Sequence, residues 1–87
     1  MRISVAVHGY FQDIASIGRD EVVITLPDSG SYRIRDLLDH INLLEEEIRR
    51  VTLNGRAVRL DTILRHRVKL EFFPRRYRVA RPHHPNE

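Results

Sequence analysis

The 87-residue sequence contains no cysteine, which excludes disulfides, zinc–thiolate sites and thiol catalysis. It has no phosphate-binding loop and no dinucleotide-binding fingerprint. The opening stretch, MRISVAVHGY, is neither a signal peptide nor a membrane span. We therefore expect a small, single-domain protein of the cytoplasm that does not associate with membranes.

Excess charge is also absent from most of the chain. Residues 1–74 carry eleven Arg or Lys and eleven Asp or Glu, so this part is neutral. Residues 75–87 carry four Arg and one Glu, which accounts for the whole net charge of +3. We predict a folded domain over residues 1–74 and a basic C-terminal extension over residues 75–87, partly strand or disordered.

Alternation of apolar and polar residues predicts most of the strands. A period of two, or a β-branched run, is present at residues 2–8, 21–26, 48–53 and 68–73, with a short strand through Val58 and Leu60. Asn54-Gly55 predicts a tight hairpin turn, because a type I′ turn needs positive φ at both central positions. A polar connection is expected between the first two strands, which would then form a hairpin.

Helical spacing occurs once. Ile34, Leu37, Leu38 and Ile41 fall at i, i+3, i+4 and i+7, which predicts one apolar helix face. Ser31 precedes it as a candidate N-cap, and residues 43–47 are compatible with a short helical turn. The order is β-β-α-β-β-β, which predicts an α+β fold with a mixed four- to five-stranded sheet packed on one main helix. The last strand is rich in large apolar residues and is expected to be central.

Several motifs in this order resemble one known family. The helix carries IRDLL from Ile34, the hairpin carries VTLNGRAV from Val51, and the last strand ends in Phe72-Phe73-Pro74. Over about residues 31–74 the chain resembles the ubiquitin-like β-grasp family, and within it the sulfur-carrier branch, ThiS/MoaD-like. The resemblance implies a β-grasp fold whose last strand and C-terminal segment insert into a partner enzyme.

The sequence departs from that family in two places. The turn before the last strand, usually D-G-D in relatives, is Leu64-Arg65-His66-Arg67 here. Family chemistry resides in a C-terminal Gly-Gly that is adenylated and converted to a thiocarboxylate. The glycines of this sequence are Gly9, Gly18, Gly30 and Gly55. We therefore expect a ubiquitin-like protein-interaction module that is not an enzyme and has no transferable diglycine terminus.

The expected contact residues follow from the resemblance, with the alternative that one or both phenylalanines belong to the core. The candidate partner-binding residues are Phe72, Phe73, Pro74, Arg75, Arg76, Tyr77 and Arg78. The expected partner is another protein with an acidic surface, and no cofactor, metal or catalytic residue is expected.

Three alternatives remain at this point. The chain is a sulfur carrier or a component of molybdopterin or thiamine biosynthesis, or it binds nucleic acid weakly through arginines around Tyr77. The third alternative is that the basic end is merely solvated. His83-His84 is a weak metal candidate, because adjacent histidines on a chain end seldom complete a site. Scattered acids near His8 in the first hairpin have no partner group that would suggest acid–base chemistry.

Overall fold

The computed structural model describes residues 1–28 and 30–75, and five strands form one sheet in this part of the chain. The strands are β1 (Arg2–Val7), β2 (Val22–Thr25), β3 (Ile48–Leu53), β4 (Arg56–Val58) and β5 (Lys69–Pro74). Their order is β2-β1-β5-β3-β4. β1 and β5 run parallel, whereas the other neighbours are antiparallel. The prediction of a mixed sheet with a central last strand is confirmed.

The main helical segment covers one face of this sheet. A 3₁₀ turn (Ile34–Leu37) continues directly into α2 (Leu38–Ile41). Its apolar face is buried, as the spacing predicted, and it packs in the same core as the inward side chains of the sheet. These buried side chains include Ile34, Leu37, Leu38 and Ile41 from the helix, Ile3, Val5 and Val7 from β1, and Leu70 and Phe72 from β5.

Two further helical pieces are short. α1 (Phe11–Ile14) lies in the connection between β1 and β2, and a 3₁₀ turn (Glu45–Glu47) leads into β3. The second of these confirms the predicted turn before the third strand. In residues 1–28 and 30–75, no helix has the length and apolarity needed to cross a membrane.

Three local predictions were wrong. The predicted antiparallel pairing of the first two strands is confirmed, but their connection is not simply polar, since it contains α1 and the fully buried Phe11. The helix is capped from Arg33 rather than Ser31: the Asp36 carboxylate accepts the Arg33 backbone N–H at 2.8 Å. β4 ends at Val58, so Leu60 is not part of a strand.

The hairpin between β3 and β4 turns at the predicted dipeptide. Asn54 and Gly55 both have positive φ, 52° and 85°. Asn54 is also bonded to the central strand, since its side-chain Oδ1 accepts the Lys69 N–H at 2.9 Å and its own N–H donates to the Lys69 carbonyl. The turn therefore fixes the register between the hairpin and the start of β5.

Candidate partner-binding surface

β5 presents alternate side chains to the two faces of the sheet. Leu70 and Phe72 are buried against the helix, and Lys69, Glu71 and Phe73 lie on the opposite, solvent side. The predicted contact residues are therefore divided between two environments.

Phe72 belongs to the core. It has no exposed surface and packs with both neighbouring strands, opposite Val7 on β1 and Val51 on β3. A partner cannot reach this side chain without opening the domain. Phe72 is thus corrected from a contact residue to a core residue, which is one of the alternatives left open for the two phenylalanines.

Phe73 lies between two side chains on the solvent face. The His8 imidazole stacks on its ring, with centroids 4.5 Å apart and planes at 7°. The Arg50 guanidinium carbon lies 4.8 Å from the ring centroid, within cation–π distance. Together with Glu71, these residues form a surface that we call the Phe73 platform (His8, Arg50, Glu71 and Phe73).

Glu71 holds the polar side of the platform. One carboxylate oxygen lies 3.0 Å from His8 Nε2, and the other accepts a hydrogen bond from the Thr52 hydroxyl at 3.5 Å. The Glu71 side chain is 24% exposed and that of His8 38%. This contact fixes the orientation of the imidazole, so that its flat face stays on Phe73.

Pro74 ends β5 at an irregularity in the sheet. It pairs with Ile48, and the register of β3 shifts between Ile48 and Arg50. A proline has no backbone N–H to donate, which restricts it to such positions. Its ring packs beside Gly9, while its carbonyl accepts a hydrogen bond from Arg49 Nε at 3.3 Å.

Arg75 is tied to the acidic 3₁₀ turn. Its backbone N–H donates to the Glu47 carbonyl at 3.0 Å, and its Nε donates to the Glu46 carbonyl. The guanidinium thus contacts one backbone oxygen of this turn, that of Glu46, although Arg75 is exposed. These two bonds fix the position of Arg75 at the end of β5.

The first carboxylate of that turn has another partner. Arg35 Nε and one terminal nitrogen donate to the two Glu45 oxygens at 3.0 and 3.3 Å. The hydrogen bond from Arg35 lowers the pKa of Glu45, and the same bond raises the pKa of Arg35. This ion pair ties the turn to the start of the main helix.

The remaining predicted contacts, Arg76, Tyr77 and Arg78, lie outside the described residues, as do His83 and His84. Among residues 1–28 and 30–75, no three His, Asp or Glu side chains converge in a way that could hold a metal. The side chains that the structure brings together can stack, form hydrogen bonds and pair charges, which suits recognition of another molecule.

Sequence reasoning missed His8, Arg50 and Glu71 as members of this surface. Alternation along β3 and β5 could have placed Arg50 and Glu71 on the solvent face with Phe73. His8 had no such signal, because its contact with Phe73 depends on the parallel pairing of β1 with β5.

No protein-family model and no curated protein sequence matches this chain. Two solved structures do. One structure is a Pyrococcus furiosus protein assigned as molybdopterin converting factor, subunit 1, with 25% identity and a TM-score of 0.63, covering 85% of this chain and 97% of that one. The other is SAMP1 from Haloferax volcanii, with 17% identity and a TM-score of 0.65, covering 86% and 96%.

The two β-grasp neighbours are matched over nearly their whole length. At 17% identity, the Haloferax structure supports the fold alone. The ubiquitin-like β-grasp expected from the motifs is confirmed.

Proposed function

We propose that this chain is a ubiquitin-like interaction module that binds a partner protein without catalysing a reaction. The partner contacts the Phe73 platform, Pro74 and Arg75, and the segment that follows them. In this proposal, residues 1–74 form the binding domain, and residues 75–87 extend it with positive charge towards an acidic partner surface.

The observation that carries the proposal is the partly buried Phe73 ring on the solvent face of the central strand. An aromatic ring stacked on His8 and flanked by Arg50 is already ordered, so a partner loses little conformational entropy in binding it. Aromatic and arginine side chains are also the residues that most often dominate protein interfaces.

The hydrogen bonds of Arg75 provide further support. Because its backbone and side chain both bind the acidic turn, the chain leaves the domain from a fixed point beside the Phe73 platform. The other candidate contacts, Arg76, Tyr77 and Arg78, follow this point directly in the sequence. Arg75 therefore marks the place beside the Phe73 platform from which the extension would reach the partner.

The test is capture of partners by the full chain and by variants, with nuclease present. Phe73→Ala and Arg50→Gln should each release a protein that the unmodified chain retains. Arg56→Gln removes the same charge from an exposed site on β4 and serves as the control. Equal retention by all four proteins would reject the Phe73 platform as the contact.

A sulfur carrier is the second candidate, supported by the 25% identity with the Pyrococcus protein assigned as a molybdopterin converting factor subunit. In that function a C-terminal carboxylate would be adenylated by ATP with release of pyrophosphate, and sulfide from a sulfur donor would then displace AMP to give a thiocarboxylate. Incubation with an activating enzyme, ATP and a sulfur donor tests it by intact mass. Replacement of one oxygen by sulfur would establish this function, and an unchanged mass would reject it for the enzyme used.

A further inference from the structure

A concave site lies on the same face of the sheet as the Phe73 platform, at the opposite end of β5. Its volume is about 390 Å³, within the range of roughly 300–1,000 Å³ typical of small-molecule sites. It begins beside Lys69, the first residue of β5, about 13 Å along the strand from Phe73. The lining includes three cations, Arg2, Arg67 and Lys69, with Asn54 and the apolar Val23 and Val68.

Two of the three cations have no counter-ion among the described residues. Lys69 pairs with Glu21 at 3.2 Å, whereas neither Arg2 nor Arg67 forms an ion pair there. Asp28, at the same end of the sheet, is occupied by the N-terminal ammonium, whose hydrogen bond lowers the pKa of that carboxyl. Two uncompensated guanidinium groups therefore line one cavity.

The backbone fixes the two arginines relative to each other. The Arg2 N–H donates to His66 Nδ1 at 3.0 Å, and the Arg67 N–H donates to the Arg2 carbonyl at 2.9 Å. Arg67 adopts φ of 65°, a left-handed conformation that a side chain other than glycine rarely takes. The fold keeps an arginine at a position where glycine would be less strained, and such local strain often accompanies function.

We propose that this cavity binds a small organic phosphate monoester, with Arg2 and Arg67 on the phosphate and Val23 against the organic part. A phosphate monoester carries a charge of about −1.5 to −2 at neutral pH, which matches two guanidinium groups better than a carboxylate does. The planar guanidinium also presents paired donors to phosphate oxygens. Val23 is 55% exposed and supplies the apolar wall.

This proposal does not depend on the partner-binding function, because the two sites share no residue. It names a small ligand rather than a nucleic-acid backbone, since a phosphodiester carries only one negative charge. The comparison ligands in the experiment distinguish a phosphate monoester from a phosphodiester.

The ligand test is a titration of the full ¹⁵N-labelled chain with phenyl phosphate, followed by amide chemical shifts. Shifts should concentrate at residues 2–4, 54 and 67–69. Inorganic phosphate, benzoate and dimethyl phosphate are the comparison ligands, and each should bind at least several-fold more weakly. Equal affinity for all four, or shifts centred elsewhere, would overturn the proposal.

The variant test uses the strained position. Arg67→Gly removes the guanidinium and suits the positive φ, so the melting temperature should not fall while phenyl phosphate binding weakens about tenfold or more. Arg67→Gln should show the same loss of binding. Arg65→Gln removes an equal charge from an exposed residue outside the cavity lining and should leave affinity within about twofold. If the variants at positions 65 and 67 lost phenyl phosphate affinity equally, binding would depend only on the overall positive charge. That result would refute the proposed site.

Discussion

The backbone of Gly9 lies directly against the ring of Pro74. A Cβ atom built on Gly9 would be 2.8 Å from Pro74 Cγ and 3.3 Å from Cδ, and Gly9 has φ of 60°. The turn after β1 therefore determines where the last residues of β5 can lie. Since β5 ends beside the Phe73 platform, this contact supports both the fold and the position of the proposed binding surface.

Gly9→Ala should lower the free energy of unfolding by about 2–4 kcal/mol, from the strained φ and from displacement of Pro74. Gly18→Ala is the matched control, since Gly18 has φ of 71° and a methyl group added there would meet nothing within 4 Å. It should lose only the backbone part, about 1–2 kcal/mol. Urea unfolding measures both values. Equal losses of unfolding free energy would show that the contact with Pro74 does not contribute to stability.

The adjacent phenylalanines should respond differently to truncation. Phe72→Ala should cost about 3–5 kcal/mol of unfolding free energy, because it empties a fully buried site. Phe73→Ala should cost only about 1–2 kcal/mol, since it removes a half-buried ring and its contacts with His8 and Arg50. Chemical denaturation gives both values. A loss at Phe73 as large as that at Phe72 would mean that Phe73 also serves mainly the core.

Asn54 contributes to the stability of the hairpin turn in two ways that can be measured separately, through its side-chain hydrogen bond and through its positive φ. Asn54→Gly keeps the positive φ but loses the bond to the Lys69 N–H, and should cost about 1 kcal/mol. Asn54→Ala loses the bond and also strains the backbone, so about 2–3 kcal/mol is expected. Thermal or urea unfolding distinguishes the variants. If Asn54→Ala and Asn54→Gly lost the same free energy of unfolding, the positive φ at this position would not contribute to stability.

The Arg35–Glu45 pair makes a prediction about pH. Arg35 lowers the pKa of Glu45, so the folded-state pKa lies below the unfolded one. The pair therefore contributes stability above the unfolded pKa, and this contribution is lost as pH falls through the folded pKa. Both side chains are about half exposed, so the contribution should be small and should weaken with salt.

The measurement is a carbon-detected NMR titration of the Glu45 carboxyl group. Arg35→Gln should return its pKa to the ordinary range of glutamate. Arg49→Gln removes an exposed arginine that bonds to Pro74 instead, and should leave the Glu45 titration unchanged. An unaltered titration in Arg35→Gln would show that the ion pair does not persist in solution.

Local sequence patterns were sufficient for most elements of the fold. The helix face at Ile34 and Leu37 and the turn at Asn54-Gly55 depend on neighbours a few residues away, and both were predicted. α1 was missed because it is only four residues long, which is too short for an apolar period to identify a helix. The Arg33 cap was missed because the hydrogen bond from its backbone is accepted by Asp36, a residue inside the helix.

The candidate site was predicted only in part, for a related reason. Position in the last strand indicated Phe73, Pro74 and Arg75, but it did not separate Phe72, which the structure shows to be fully buried. The bonds of Arg75 to the acidic turn join segments that no local pattern connects.

The sequence by itself determined most of the inward-facing side chains, the turn at Asn54-Gly55, and that one main helix covers one sheet, because apolar periodicity and turn geometry are properties of short segments. Only the tertiary structure decided that His8 stacks on Phe73 and that Arg2 meets Arg67. Both contacts bring the first strand beside the last part of the chain. The register between such distant segments is set by the packing of the whole core, so alternation along either strand does not reveal its neighbours.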